Sequence, residues 1–324
     1  MKLLVTGGAG YVGGAVARGL RDAGHAIVIV DDLRTGHRAT AEGFELLVAD
    51  FADADRVGAR LASERFDGII HLAASSLVGE SVAKPALYQE NNLHKSLALL
   101  DLARRHGVAR FVFSSSAAVY GEPEHVPIDE THPLRPTNPY GETKLAFERA
   151  LQAHAAAHGL SAVSLRYFNA AGTTRDDRHG EEHEPETHLV PNVLRAAVEG
   201  RPVPVFGTDY PTGDGTAVRD YIHIEDLAEA HRLALDRAAA PGRAEAFNLG
   251  TGRGYSVEEV IDAARRVTGR PIAILPGPRR PGDPARLVAA AGLATRTLGW
   301  TPRTPGLEGI LETAWAHLRA VGRA

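Results

Sequence analysis

The sequence contains no cysteine, so disulfide bonds, thiol nucleophiles, iron–sulfur clusters and thiolate zinc sites are excluded. Any chemistry must use oxygen and nitrogen groups or a bound cofactor. No apolar run approaches the roughly 18 residues of a membrane span, and the apolar run at residues 2–6 is too short for a signal-peptide core. We therefore expect a cytoplasmic protein that does not insert into a membrane.

An excess of basic residues is also missing, since 36 Lys and Arg face 40 Asp and Glu for a net charge of −4. Nucleic acid is therefore not an expected partner. Apolar residues make up 44% and charged residues 23%, which is typical of folded proteins and excludes global disorder. At about 150 residues per domain, the length predicts two domains or one large unit with an appended lobe.

Short runs of Val, Ile and Leu alternate with longer helical patterns in the first half of the chain, which is typical of βαβ units around a buried parallel sheet. The pattern predicts strands at 2–6, 26–31, 45–49, 68–72, 110–114 and 162–166, with helices at 11–23, 54–65, 85–106 and 140–158. The predicted fold class is α/β, with a Rossmann-type doubly wound parallel sheet over residues 1–170.

The regular alternation is lost after Asn169, and most of the Pro-Gly punctuation falls in the second half of the chain. We expect residues 171–324 to form a smaller C-terminal lobe, and the chain to cross back to the first domain near 219–227. Helices are predicted there at 191–199, 224–237, 256–268 and 305–321.

A glycine-rich segment joins the first strand to the first helix and reads Gly7-Gly8-Ala9-Gly10-Tyr11-Val12-Gly13. Such glycines let backbone N–H groups reach a pyrophosphate at the positive end of a helix dipole. The next strand ends in Asp31, which would accept hydrogen bonds from a ribose and repel a 2′-phosphate, so NAD is favoured over NADP. The nearby cations Arg34, His37 and Arg38 leave a phosphate-binding alternative open.

Two further strand ends are predicted to meet the cofactor. Asp50 and Phe51 follow the third strand, where they would lie at an adenine edge, although Asp50 is equally suited to start a helix. The fourth strand ends in His71-Leu72-Ala73-Ala74, whose small residues suit close contact with a cofactor. We expect His71 itself to be a buried histidine with its ring nitrogens satisfied.

A row of hydroxyls, Ser114 to Ser116, ends the fifth strand at the edge where open α/β sheets bind ligands. Tyr140 and Lys144 follow on a helix at i and i+4, which places them on one face. A lysine there stabilises a phenolate and is expected to lower the pKa of Tyr140, making a base that removes a proton from an alcohol while NAD takes the hydride.

These residues resemble the extended short-chain dehydrogenase/reductase family, and within it the nucleotide-sugar 4-epimerases. The likeness covers nearly the whole chain, and its most specific segments are residues 6–13, 78–81, 113–121, 140–144, 165–169, 206–222, 248–250 and 279–283. The resemblance implies an isomerase that holds NAD and oxidises a UDP-hexose (UDP-galactose or UDP-glucose) transiently at C4. The 4-keto sugar then turns over and takes the hydride back on its other face.

The resemblance also implies roles for individual residues. Ser116, Tyr140 and Lys144 would be catalytic. The cofactor would be bound by Gly7, Gly10, Tyr11, Val12, Gly13, Asp31, Asp50, Phe51, Leu72, Ala73, Ala74, Asn92, Tyr140, Lys144 and Tyr167. The nucleotide sugar would be bound by Ser116, Tyr140, Phe168, Asn169, His188, Leu189, Val205, Phe206, Arg219, Tyr221, Arg280, Asp283 and Leu287.

Several alternatives stay open at this point. A 4-epimerase of a UDP-N-acetylhexosamine or of UDP-glucuronic acid would keep similar residues, with Leu287 as the gate over the C2 substituent. A nucleotide-sugar 4,6-dehydratase would need an acid pair where residues 115–118 read Ser-Ser-Ala-Ala, and a non-catalytic NAD sensor would not need Tyr140. In the smaller lobe, Arg219 and Asp220 are also suited to pair with one another.

The loop before residue 189 is rich in potential metal ligands, namely His179, Glu181, Glu182, His183, Glu184, Glu186 and His188. We expect a polar loop that opens into the substrate pocket and no metal, because a redox-neutral mechanism needs none. The Ala- and Leu-rich faces of residues 85–106 and 140–158 suit a helix bundle between two copies, and the resemblance implies a homodimer.

Overall fold

Seven parallel strands form the central sheet of the protein, which we describe from a computed structural model covering residues 1–175, 179–183, 185–280 and 282–322. The strands of the described residues, in chain order, are β1 (Lys2–Thr6), β2 (Ala26–Asp31), β3 (Glu45–Val48), β4 (Gly68–His71), β5 (Arg110–Ser116), β6 (Ser161–Tyr167), β7 (Asn169–Ala171), β8 (Val203–Phe206), β9 (Val218–His223), β10 (Ala244–Leu249), β11 (Gly254–Ser256), β12 (Ile274–Gly277) and β13 (Arg286–Leu287). The central sheet has the strand order β10-β6-β5-β4-β1-β2-β3, and each neighbouring pair in it is parallel. The order reverses between β1 and β4, which opens a crevice at the carboxyl ends of the strands.

Helices cover both faces of this sheet, as a buried parallel sheet requires. They are α1 (Tyr11–Asp22), α2 (Arg56–Ser63), α3 (Val78–Ala83), α4 (Pro85–Tyr88), α5 (Lys95–Arg105), α6 (Pro139–His158), α7 (Leu189–Glu199), α8 (Ile224–Arg237), α9 (Val257–Thr268), α10 (Gly292–Leu298) and α11 (Leu307–Ala320). One core lies between the sheet and helices α1 and α8, and the other between the sheet and helices α2, α5 and α6. No helix in the described ranges is both long enough and apolar enough to cross a bilayer.

A smaller lobe is built around β9, which pairs with β7, β11 and β13, while β8 pairs separately with β12. Helices α7, α9 and α11 enclose its own core. Strand β7 follows directly after β6, so the smaller lobe is connected to the central sheet at the carboxyl end of β6. This connection brings β9 and β13 beside the crevice.

The predicted fold class is confirmed, and the six predicted strands lie within two residues of observed ones. The chain returns to the large sheet through α8, which begins at Ile224, and β10, so residues 224–249 pack with the first domain. One predicted element differs from the structure. The single helix predicted at 85–106 is instead α4, a π-helical turn at Gln89–His94, and α5.

A buried ion pair joins α6 to the sheet. Glu148 and Arg166 have side chains only 3% and 4% exposed, and the guanidinium contacts the carboxylate at 2.5 Å. Ser115 donates a hydrogen bond to the same carboxylate at 2.5 Å, and Arg166 donates to the Tyr120 hydroxyl at 2.9 Å. Tyr120 in turn donates to Asn248 on β10 at 2.6 Å. The network therefore links α6 to β5, β6 and β10.

We expect Glu148→Ala to reduce the free energy of unfolding by about 3–5 kcal/mol, because it leaves the Arg166 guanidinium buried without its carboxylate. Urea denaturation measures this change. The control is Glu308→Ala on α11, which breaks an exposed pair with Arg266 and should cost less than about 1 kcal/mol. Equal effects of the two substitutions would show that the buried pair does not hold α6 in place.

A second buried polar contact joins α8 to β5. His231 is fully buried, its Nδ1 lies 2.8 Å from the Leu227 carbonyl oxygen, and its Nε2 lies 3.1 Å from the Ser114 hydroxyl. Burial lowers the pKa of His231 from 6.5 to about 4, opposed by the hydrogen bond to Leu227. The imidazole is therefore neutral in the folded protein at pH values where an unfolded chain would protonate it.

As the pH falls from about 6.5 to about 4, the unfolded state binds a proton at His231 that the folded state does not. The free energy of unfolding should therefore fall in this window, by at most about 1.4 kcal/mol per pH unit for this group. We expect His231→Gln to flatten the slope measured by urea denaturation. His94→Gln, which removes an exposed imidazole, is the control variant measured in parallel. An unchanged slope in His231→Gln would refute the assignment.

Candidate functional site

The loop between β1 and α1 has a backbone conformation and close contacts that require glycine at two positions. Gly7 has φ +72°, and a Cβ there would lie 2.6 Å from the Ala73 nitrogen. A Cβ on Gly13 would lie 2.0 Å from the Gly7 carbonyl oxygen. Helix α1 starts after Gly10, with no side chain of the described residues capping it and no acidic residue in its first turn. Its N–H groups and dipole therefore suit an anionic ligand.

Asp31 lies beside this loop at the end of β2, 9% exposed. Its carboxylate accepts hydrogen bonds from the Ala9 N–H at 3.0 Å and the Leu33 N–H at 2.9 Å. Burial raises its pKa, and these two bonds oppose the rise. Arg34, a candidate for holding a 2′-phosphate, donates instead to Asp32 at 2.6 Å. The arrangement fits a ribose with two free hydroxyls.

The other predicted cofactor residues lie around the same crevice, but several already have partners. Asp50 accepts from Lys95 at 2.6 Å and caps no helix, and Phe51 packs in the core with 7% exposure. Leu72, Ala73 and Ala74 follow β4 in front of Gly7. Asn92 lies in the π-helical turn and hydrogen-bonds the backbone of Ser75 through both amide atoms at 2.8 Å.

Three further side chains behave as structural elements of the crevice. Tyr11, the first residue of α1, donates to the Gly172 carbonyl at 2.6 Å and so joins the two lobes, while Val12 packs against the core beside it. His71 is buried with its ring nitrogens 2.6 Å from the Thr6 hydroxyl and 2.8 Å from the Ser96 hydroxyl. Burial lowers its pKa to about 3, which agrees with the predicted satisfied core histidine.

Ser116, Tyr140 and Lys144 come together at the carboxyl end of β5. Helix α6 begins after Asn138, whose side chain accepts from the Gly141 N–H at 2.9 Å, and this cap sets the start of the Tyr140 turn. The Lys144 ammonium is 3% exposed, donates to the Ser114 carbonyl at 2.8 Å and lies 5.7 Å from the Tyr140 ring centre. The Ser116 hydroxyl lies near enough to Tyr140 to lower the pKa of the phenol.

The sequence predicts a lowered pKa for Tyr140, and this prediction is wrong, because the surrounding protein groups together raise it. Burial raises it, Tyr167 raises it further, and only the hydrogen bond from Ser116 lowers it. Burial also lowers the pKa of Lys144 to about 7, opposed by the charge of Glu148. A lysine that is only partly protonated near neutral pH stabilises a phenolate weakly. Tyr140 therefore becomes a base only where further positive charge lies against it.

Glu148 is a positioning residue that the site prediction missed. It lies four residues after Lys144 and eight after Tyr140, so all three share one face of α6. That spacing was a signal in the sequence. Its carboxylate favours the charged form of Lys144 and fixes α6 through the pair with Arg166.

On the side of the smaller lobe, Arg219 on β9 pairs with Asp283 and donates to the Pro284 carbonyl at 2.8 Å. The alternative pairing of Arg219 with Asp220 is wrong, because Asp220 accepts backbone N–H groups from Thr251, Gly252 and Ala289. Arg280 lies with its guanidinium 4.2 Å above the Phe206 ring. The two predicted substrate loops are therefore adjacent.

A small cavity in front of these loops is lined by Asn169, His188, Leu189 and Tyr221 together with Glu181. The first four were predicted to bind substrate, and Glu181 was not among the predicted binding residues. Leu287, on β13 beside Arg219, packs with Phe168 and Ala117 at the end of β5. Val205, in contrast, is 1% exposed and belongs to the core of the smaller lobe.

Residues 179–188, which we call the His/Glu loop, contain a group of potential metal ligands that lie close together. Ligand atoms of Glu181, His183, Glu186 and His188 all lie within 4.8 Å of one another. His179 instead approaches the Tyr11 carbonyl at 2.5 Å, and Glu182 accepts from His37 through its backbone. Glu184, also predicted as a candidate ligand, lies outside the described residues.

Comparison with known proteins agrees with this geometry. Residues 3–250 match the NAD dependent epimerase/dehydratase family. The UDP-glucose 4-epimerase of Corynebacterium glutamicum is 52% identical over 324 residues, covering 99% of this chain and 97% of that protein. The crystal structure of UDP-glucose 4-epimerase from Brucella ovis in complex with NAD superposes with a TM-score of 0.93 at 42% identity, covering 98% of both chains.

A second structure extends the likeness to a bound nucleotide sugar. The UDP-glucose 4-epimerase from Stenotrophomonas maltophila, solved with bound NAD and formylated UDP-arabinopyranose, has a TM-score of 0.95 at 40% identity and covers 100% of this chain and 99% of its own. Full-length similarity, the strand order and the Tyr140–Lys144 arrangement agree with one another. The chain belongs to the NAD dependent epimerase/dehydratase family.

Proposed function

We propose that the protein is an NAD-dependent isomerase that epimerises a UDP-hexose, UDP-galactose or UDP-glucose, at C4. The observation that carries the proposal is the meeting of Ser116, Tyr140 and Lys144 at the strand end that faces the glycine loop. Full-length relatives at about half identity are named UDP-glucose 4-epimerase, which supports the same reaction.

The crevice fits NAD on the chemistry of its donors. Gly10, Tyr11, Val12 and Gly13 present the N-terminus of α1 to the pyrophosphate, and Asp31 would accept the adenosine ribose hydroxyls. Leu72, Ala73 and Ala74 leave room for the cofactor, while Asp50, Phe51 and Asn92 shape the wall of the crevice. Lys144 and Tyr167 would lie at the nicotinamide end. Bound NAD supplies reversible hydride acceptance from C4 of the sugar.

Tyr140 would remove the proton from the sugar O4 and return it later, with Ser116 hydrogen-bonded to both groups. Lys144 is oriented for this by the Ser114 carbonyl and by Glu148, which favours its charged form. Lys144 and Tyr140 would lie beside the nicotinamide end of bound NAD, where added positive charge would lower the pKa of Tyr140. Because hydride and proton both return, the reaction is redox-neutral and releases no reduced cofactor.

The smaller lobe would hold the UDP group. Arg219 pairs with Asp283 and Arg280 lies over the Phe206 ring on the adjacent loops, and guanidinium groups bind phosphate oxygens in bidentate fashion. Asp283 would accept the uridine ribose hydroxyls, and Phe206 offers an exposed ring at 36% exposure for the base. Asn169, His188, Leu189 and Tyr221 line the cavity between this pocket and Tyr140.

The sugar would lie between Tyr140 and Leu287. Leu287 packs with Phe168 beneath the predicted C2 position, and Val205 supports β8 from the core. Leu is smaller than Tyr but larger than Ser, so the pocket suits a C2 hydroxyl, and its acceptance of an N-acetyl group is decided by the product experiment below.

We also place a homodimer contact on α3, α4 and α6. Val78, Val82 and Leu87 are 40%, 61% and 37% exposed and lie next to α6. Apolar side chains clustered on neighbouring helices suit a bundle formed with a second copy of the chain.

Purified protein, without added NAD, is expected to convert UDP-galactose to UDP-glucose, because the cofactor copurifies and is regenerated in each turnover. The products are separated by chromatography and identified by NMR. UDP-N-acetylgalactosamine and UDP-glucuronic acid, tested separately, show what Leu287 admits. A product lighter by one water would indicate a dehydratase, and no conversion after adding NAD would refute the epimerase proposal.

Tyr140→Phe should lower kcat by about 10²–10⁴-fold, because it removes the proton-transfer group but no packing. Calorimetric binding of UDP should stay at the wild-type value. Tyr88→Phe is the control, since its ring lies 6.4 Å from that of Tyr140 but its hydroxyl donates to the Leu77 carbonyl. A Tyr140→Phe enzyme as active as Tyr88→Phe would exclude Tyr140 as the base.

Arg219→Met should raise KM for UDP-galactose by about 10- to 100-fold with little change in kcat, since a charge-assisted bond to phosphate contributes about 1.5–3 kcal/mol. Steady-state kinetics measures both constants. Arg266→Met on α9 removes an exposed guanidinium far from the pocket and serves as the control. A fall in kcat with unchanged KM would assign Arg219 to catalysis instead.

A further inference from the structure

Four side chains before α7 form a compact group that the proposed mechanism does not use. The Glu181 carboxylate lies 3.0 Å from His183 Nδ1 and also contacts His188 Nδ1, which is 3.7 Å from Glu186 Oε1. The two carboxylates are almost fully buried, with side chains 6% and 2% exposed, while the imidazoles are 33% and 43% exposed. Two buried anions and two accessible imidazoles therefore share one small volume.

One atom of this group lacks a partner. Glu186 Oε1 accepts hydrogen bonds from the N–H groups of Thr187 and His188 at 2.8 and 2.9 Å. Glu186 Oε2 is buried and has no hydrogen-bond partner in the described part of the chain. The Arg195 guanidinium lies 3.8 Å from it, which is within ion-pair distance but too far for a hydrogen bond. A buried carboxylate oxygen that accepts no hydrogen bond is costly, and a bound cation would satisfy it.

We infer that Glu181, His183, Glu186 and His188 form a binding site for a divalent transition-metal ion of the Zn²⁺ class. Two imidazole nitrogens and two carboxylate oxygens are ligands that Zn²⁺ accepts, whereas Mg²⁺ and Ca²⁺ prefer oxygen alone. Around a tetrahedral Zn²⁺ ion, ligand atoms lie about 3.4 Å apart for bonds of about 2.1 Å. The ligand atoms of the four side chains all lie within 4.8 Å of one another, so small side-chain movements would bring them to that spacing.

The surroundings fix the orientation of the ligands. The Asn192 amide donates to the backbone carbonyl of His188 at 2.9 Å and to that of Glu186 at 3.2 Å, so the first turn of α7 holds the ligand segment. The Tyr11 ring lies edge-on to His183 at 6.2 Å. These contacts join the ligands to both lobes, so a bound ion would fasten the loop between them.

The place of the site suggests what the ion does. Glu181 and His188 also line the cavity that we place between the UDP pocket and Tyr140. Two carboxylates beside this cavity oppose the binding of a diphosphate, and a divalent cation held between them would neutralise their charge. The ion would therefore act as a structural and electrostatic part of the pocket wall and would not take part in hydride or proton transfer. Occupancy of the site itself does not depend on the proposed reaction.

The test uses full-length holoenzyme without a polyhistidine tag, treated with a chelator and then titrated with Zn²⁺ against a chromophoric competitor. We expect one equivalent of Zn²⁺ per chain, and a ligand-field spectrum of low coordination number when Co²⁺ replaces it. Glu186→Gln keeps both backbone hydrogen bonds through its amide oxygen and should weaken binding by more than the ~100-fold lost with an outer-sphere partner. His183→Gln removes one of the two more exposed ligands, the imidazoles, and should also weaken Zn²⁺ binding.

The control is His154→Gln/His158→Gln, which removes a histidine pair on α6 with rings 5.3 Å apart that is suited to adventitious binding. This variant should retain the full equivalent. The thermal midpoint of the wild type, but not of Glu186→Gln, should rise with Zn²⁺. The proposal is overturned if the wild type binds no ion, if both ligand variants still bind it, or if the α6 variant loses it. UDP-galactose turnover, assayed separately, tests only the epimerase proposal.

Discussion

The buried ion pair between Glu148 and Arg166 is the interaction on which the carboxyl edge of the sheet depends. Two charges removed from water are stable only when their hydrogen bonds are complete. Here Ser115 on β5 and Tyr120 complete them. Helix α6 therefore has one position along the strands in which every bond is made. That position determines where Tyr140 and Lys144, at earlier turns of the same helix, meet Ser116.

The same network sets the electrostatics of the site. Burial works against the charged forms of both Lys144 and Tyr140, and Glu148 partly restores the charge of Lys144. The protein groups alone leave the tyrosine protonated. In the proposed mechanism, base strength at Tyr140 would therefore depend on positive charge brought into the crevice, and proton removal would be confined to the complex with NAD. The protein itself supplies the geometry of the site.

Local patterns predicted a large part of this site. The glycine loop, Asp31 and the Tyr140–Lys144 pair are each encoded within one turn or one βα unit, so their spacing determines their geometry. Contacts between distant segments were not predictable in this way. The pairing of Arg219 with Asp283 instead of Asp220 depends on the register of β9 and β13. The return of β10 to the large sheet depends on α8 packing against α1, which no local pattern specifies. Glu148 was visible by its spacing, but only the position of Arg166 gives it a role.

The His/Glu loop shows how the same limit affects a functional interpretation. Seven candidate ligands in one stretch gave no reason to select any of them, and folding separates His179 from Glu181, His183, Glu186 and His188. The pocket beside them then poses an electrostatic problem. Glu186 lies within ion-pair distance of Arg195 and Asp283 pairs with Arg219, so these carboxylates offset part of the positive charge available to a diphosphate. A metal ion at the proposed site would supply that charge from the wall of the pocket, at a position that only the folded chain defines.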